Sequence, residues 1–92
     1  MMIHCQEHGD QGGVQVSPDI EQSIRCKETC STHIVNYEFE GEVVDTFYLS
    51  KSYAESNGLE LIDVLPLPDD YPKWVLDLNV VCEVCFNSYV KK

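Results

Sequence analysis

Apolar positions in the middle of the chain alternate with polar ones instead of recurring at helical spacing. His33-Ile34-Val35-Asn36-Tyr37-Glu38-Phe39-Glu40 and Val43-Val44-Asp45-Thr46-Phe47-Tyr48-Leu49 flank Gly41-Glu42, and both flanks are rich in β-branched and aromatic residues. A Gly-X pair is a two-residue hairpin loop, so the pattern predicts an antiparallel hairpin. That loop sets Phe39 opposite Val44 and Tyr37 opposite Thr46 on the buried side. On the outer face it sets Glu38 opposite Asp45, with Glu40 beside them.

Shorter signals surround the hairpin. Val14-Gln15-Val16 alternates as a brief strand after Gly12-Gly13. Ser17-Pro18-Asp19-Ile20-Glu21 then marks a helix start: a serine to cap free amides, proline at the first helical position, and acids at the positive end of the helix dipole. Ile20 and Ile24 share a face, predicting a helix over 18–28. Ser50 caps a second helix over 51–57, closed at Gly58. A strand is expected over 59–62, an irregular loop around Pro66, Pro68 and Pro72, a strand over 74–78 and a helix over 86–92. Trp74 reads as a core residue. The fold class is α+β: a small antiparallel sheet with a central hairpin and two to three short helices.

Composition narrows the class. Ninety-two residues, 43% hydrophobic, make one domain, 1–92, small enough for a covalent or metal staple to matter. Sixteen acidic residues against six basic ones give a formal charge of −10, and the basic residues are scattered. Direct nucleic-acid binding is disfavoured, because phosphate contacts need a basic surface. The opening residues are too polar for a signal peptide, and no apolar run approaches the ~18 residues of a membrane span. A cytoplasmic setting is expected. There five cysteines argue for metal or reactive thiols over disulfides.

The metal reading is specific. Cys5-Gln6-Glu7-His8-Gly9 opens the chain and Cys82-Glu83-Val84-Cys85 nearly closes it. Two ligands separated by two residues in a tight turn can point at one ion, and zinc accepts cysteine sulfur and histidine nitrogen together. Zinc held by Cys5, His8, Cys82 and Cys85 would join the termini. A competing run, Cys26, Cys30 and His33, follows the first helix. At helical spacing Cys26 and Cys30 share a face, which is read first as facing the core; as ligands they could replace one of the other half-sites or seed a second ion with His4.

Catalytic signatures do not assemble. Three thiolates and one histidine close a tetrahedron and blunt Lewis acidity, whereas zinc enzymes keep a position open. His4 lacks the following x-Glu of zinc deaminases, and Cys82 follows Val81 where they have proline. A thioredoxin-like Cys-x-x-Cys would stand early in a βαβ unit, not seven residues from the end. No phosphate-cradling glycine loop is present.

Surface chemistry offers two acidic patches: Glu38, Glu40 and Asp45 on the hairpin, and Asp69-Asp70 beside Tyr71, an aromatic anchor suited to an interface. The net charge would steer a cationic protein toward them. The Cys-x-x-His-Gly start, the Val-Ser-Pro-Asp-Ile helix opening and the tryptophan before a terminal Cys-x-x-Cys resemble small uncharacterised bacterial proteins with the same two knuckles. That resemblance implies a zinc site and no transferable activity. In some of those proteins a cysteine and a histidine precede the first helix; Ser17 and Asp19 stand there instead, against a second metal at that spot. The expectation is a non-enzymatic zinc-binding acidic protein that binds a basic partner protein, as an immunity-type or regulatory inhibitor. The competing class is a cysteine-dependent redox or zinc enzyme.

Overall fold

Two consecutive residues with positive φ, Glu40 at 53° and Gly41 at 80°, set the hairpin in the computed structural model, which describes residues 2–91. Such a pair forms a two-residue turn whose twist matches the flanking strands. The loop is therefore Glu40-Gly41, not Gly41-Glu42, and Phe39 pairs with Glu42. The register shifts between Tyr37 and Glu38, leaving Val44 as a bulge, so Tyr37 faces Asp45 and Asn36 faces Thr46. The expected pairs Phe39/Val44, Tyr37/Thr46 and Glu38/Asp45 are corrected accordingly; Glu38 lies opposite Val43. Phe39 is 54% exposed, while Tyr37 and Phe47 are buried. The bulge restores the alternation that sends both aromatics inward.

Around this hairpin the chain builds an α+β fold. In order it runs β1 (Met2–Cys5), β2 (Gly9–Val16), α1 (Pro18–Arg25), β3 (Cys30–Ser31), β4 (His33–Phe39), β5 (Glu42–Leu49) and α2 (Lys51–Ser56). β6 (Val64–Pro66), α3 (Lys73–Leu76), β7 (Asn79–Cys82), α4 (Glu83–Tyr89) and β8 (Val90–Lys91) follow. The sheet is mixed, ordered β1-β2-β5-β4-β6, with β7 also paired to β2. β2 is the common template: its first half, Gly9 to Gly12, pairs with β1, and its second half, Gly13 to Val16, pairs with β7.

Alternation through the sheet divides the core in two. Val35, Tyr37, Phe47 and Leu49 face Ala54 of α2, Leu59 and Val75 of α3, with Trp74 packed at the side. On the other face Val16 and Val81 meet Ile20 and Ile24 of α1 and Phe86 of α4, and Tyr48 packs against them. Phe47 and Tyr48, adjacent in sequence, thus serve opposite clusters.

The helix starts are only partly as expected. Ser50 accepts from the Tyr53 amide at 3.0 Å and caps α2. Fully buried Ser17 caps no amide of α1. Its hydroxyl accepts from Ser50 N–H at 3.0 Å and donates to Asp19 Oδ1 at 2.5 Å, and Ser50 also donates to Asp19. One carboxylate joins the starts of both helices.

Three expected elements change. The 59–62 segment forms no strand: Leu59 is buried, Leu61 is 92% exposed, and the strand is β6, parallel to β4. The 74–78 segment begins as the single turn α3, because Pro72 starts a helix and Val75 N–H reaches the Pro72 carbonyl. The strand that leads into the second cysteine pair is β7, Asn79–Cys82. The terminal helix is α4, which begins at Glu83 instead of 86 and ends at Tyr89 because Val90–Lys91 pairs in parallel with Cys30–Ser31 as β8. Among the described residues no helix is long and apolar enough to cross a membrane.

Candidate metal centre

Two local structures meet at β2. The first is the turn between β1 and β2, closed where Cys5 pairs with Gly9. Gly9 has φ +74°, a conformation that glycine adopts without steric cost. Gln11 Nε2 donates to the His8 carbonyl at 2.9 Å and braces the turn. The second is the β7–α4 junction, where Cys82 pairs opposite Gly13 and stands at the N-cap of α4. Cys85 lies in the first turn of that helix, three residues on. Because the two halves of β2 hold both structures, ligands from the chain's two ends converge without a direct strand pairing between them.

Cys5, His8, Cys82 and Cys85 place one donor atom each within 4.8 Å of one another. Cys5 Sγ lies 3.8 Å from Cys85 Sγ. His8 Nδ1 lies 3.5 Å from Cys5 Sγ, 3.6 Å from Cys82 Sγ and 3.4 Å from Cys85 Sγ. A tetrahedral ion with bonds of about 2.3 Å to sulfur and about 2.0–2.1 Å to nitrogen sets two sulfurs roughly 3.8 Å apart, and a sulfur and a nitrogen roughly 3.6 Å apart. The donor separations fit such an ion, so this Cys3His group could hold a metal.

Thiol acidity in the metal-free protein is split across the group. Backbone amides of Glu7 and His8 donate to Cys5 Sγ and hold its pKa down at about 6, against an ordinary 9.0. Burial first, and then the hydrogen bond and charge of Cys5, push Cys85 up to about 12. Without a cation, one thiolate forms readily and its neighbour resists; a divalent ion removes that conflict by neutralising the charges together.

The competing run does not assemble. α1 ends at Arg25, Cys26 is its C-cap, and Lys27 turns the chain with φ 57°. Cys26 is exposed and Cys30 is half-buried in β3, so the two do not share a helical face. His33 Nε2 donates to the Ile62 carbonyl at 2.7 Å. His4 pairs with Asp10 at the surface. Among the described residues Cys26, Cys30, His33 and His4 join no metal-competent cluster.

The hairpin patch is divided: Asp45 lies opposite Tyr37 and joins the proline loop through Tyr71, whereas Glu38, the next residue after Tyr37, lies opposite Val43 on the other face. Tyr71 Oη donates to Asp45 Oδ2 at 2.8 Å, and its ring stacks on Tyr37 at 5.9 Å between centroids. Leu67 N–H reaches the Glu38 carbonyl at 2.9 Å, tying the proline loop to the hairpin. Glu40, Asp69 and Asp70 are exposed; Glu38 and Asp45 are half-buried. Around them stand Phe39, Val43, Val44, Leu67 and Leu76, all substantially exposed. These apolar residues were missed at the sequence level because the alternation assigned Phe39 and Val44 to the buried side. No protein-family model, curated protein or solved structure significantly matches this chain.

Proposed function

We propose that this chain is a non-enzymatic acidic protein, stabilised by one structural zinc ion, that binds a basic partner protein as an immunity-type or regulatory inhibitor. Zinc is the ion favoured by a tetrahedral set of three thiolates and one imidazole. Four protein donors complete that tetrahedron, which supports a structural over a Lewis-acid role. Its energetic logic is that of a small domain whose ends are joined by an ion.

The observation that carries the binding role is the composition of the surface around Tyr71. Exposed apolar groups and carboxylates are interleaved there, with Tyr71 at 45% exposure held by Asp45 and Tyr37. Aromatic and apolar groups supply contact energy, and the charge of −10 accelerates encounter with a cation and repels nucleic acid. The test is capture of the partner from native lysate, followed by its association kinetics with the Glu38→Gln, Glu40→Gln, Asp45→Asn variant. The expected result is slower association at low salt, with the difference shrinking as salt rises. An unchanged association rate removes this surface from the account.

A further inference from the structure

We propose that the open edge of β5 is a docking groove for an extended, lysine- or arginine-bearing segment of a partner protein, which binds by adding a strand. The inference rests on the reading of the chain as a binder of a basic protein and specifies how the partner is held.

β5 has β4 along one side. On its other side β2 pairs with it at a single position, Val16 opposite Tyr48, where Ser17 N–H donates to the Tyr48 carbonyl at 3.0 Å. Among the described residues no strand pairs with that side of β5 from Glu42 to Phe47. Backbone groups of alternate residues point to the same side of a strand, so Thr46 directs its amide and carbonyl the way Tyr48 does, toward the gap. Unpaired main-chain groups along an edge are a template for another strand.

The gap has room on both faces of the sheet. One cleft, of about 350 Å³, is floored by Phe47, Val75, Leu76 and Leu78 and walled by Tyr71. The other, of about 360 Å³, is bounded by Val14, Thr46 and Tyr48. Gln15 and Asp45 line both, so they mark where the clefts meet. An added strand sends alternate side chains to opposite faces: apolar ones toward Phe47 and Leu76, and others toward Tyr48. The acids along the edge, Asp45 at the junction with Glu42 and Glu40 toward the turn, select cationic side chains. Val43 and Val44, 53% and 47% exposed, extend the apolar contact to the hairpin end.

The probe is a ten-residue peptide of alternating lysine and valine, compared at low salt with the same peptide N-methylated at every second residue. Charge and side chains are kept in the second peptide while one edge of its hydrogen-bonding capacity is removed. Binding is measured by titration calorimetry and by amide hydrogen exchange of the zinc-loaded protein. The inference predicts slowed exchange at Thr46 and at least tenfold weaker binding of the methylated peptide, the loss expected from a few backbone hydrogen bonds of about 1 kcal/mol each. Equal affinity for the two peptides overturns strand addition and leaves the acidic surface as a cation-binding face. No binding of either peptide also overturns the groove, whereas the broader reading stands or falls on the association kinetics of the captured partner.

Discussion

Cys5 and Cys85, separated by 80 positions in sequence, bring their sulfurs to 3.8 Å. Neither residue is paired to the other's element; both are placed by β2, whose halves hold β1 and β7. A metal ion at that point would tie together two segments far apart in a chain whose two core clusters are each small. Cys82→Ser should therefore lower metal content and thermal stability together, and a chelator should reproduce the loss in the unaltered protein. Calorimetry with and without chelator checks this; equal melting temperatures would oppose it.

Gly9 isolates backbone geometry from packing. A Cβ there would meet nothing within 4 Å, yet φ is +74°. Gly9→Ala is expected to cost about 1–2 kcal/mol, the penalty of a left-handed conformation for an L-residue, with Gly9→Asn milder. Denaturant titration of the metal-loaded protein measures both; an unchanged midpoint for alanine contradicts the strained-turn account.

In the metal-free protein, Cys5 and Cys85 should be alkylated in very different pH ranges. Cys5 has a folded-state pKa of about 6, below the ordinary 9.0, so its contribution to stability is present above about pH 9 and is lost as pH falls through 6. Cys85, raised to about 12, contributes below pH 9 and loses that contribution as pH rises toward 12. Peptide mapping after brief iodoacetamide treatment at pH 7 should find Cys5 modified ahead of Cys85, and metal should protect both. Equal labelling of the two contradicts the assignment.

Ser17 couples the two helix starts. Ser17→Ala leaves the Ser50 amide without its 3.0 Å acceptor and removes a donor to Asp19. A loss of about 1–3 kcal/mol is expected, the cost of an unsatisfied buried polar group. Unfolding by urea reads it, and a change below a few tenths would show that water replaces the serine.

The parts of this fold legible in sequence are those fixed by local chemistry. Pro18 at the first helical position with Asp19 and Glu21 behind it marks the start of α1, although Ser17 caps none of its amides, and the Cys-x-x-His and Cys-x-x-Cys spacings single out the four residues whose donor atoms converge. What was hidden depends on partners distant in sequence. Trp74 to Leu78 is a short apolar run that reads as a strand, yet Pro72 and the burial of Val75 favour a helical turn that leaves Leu76 70% exposed. Val90 looks like the end of a helix until Cys30 supplies a strand beside it. The hairpin register turned on two positions: Glu40 accepts a positive φ beside Gly41, and Val44 bulges out of the pairing.

The most direct test of the metal clasp is elemental analysis of purified protein alongside its Cys5→Ser, His8→Ala, Cys82→Ser and Cys85→Ser variants. One zinc per chain in the unaltered protein, with reduced content in every variant, is the predicted result. A fully folded protein devoid of transition metal, or undiminished zinc in the variants, would contradict it.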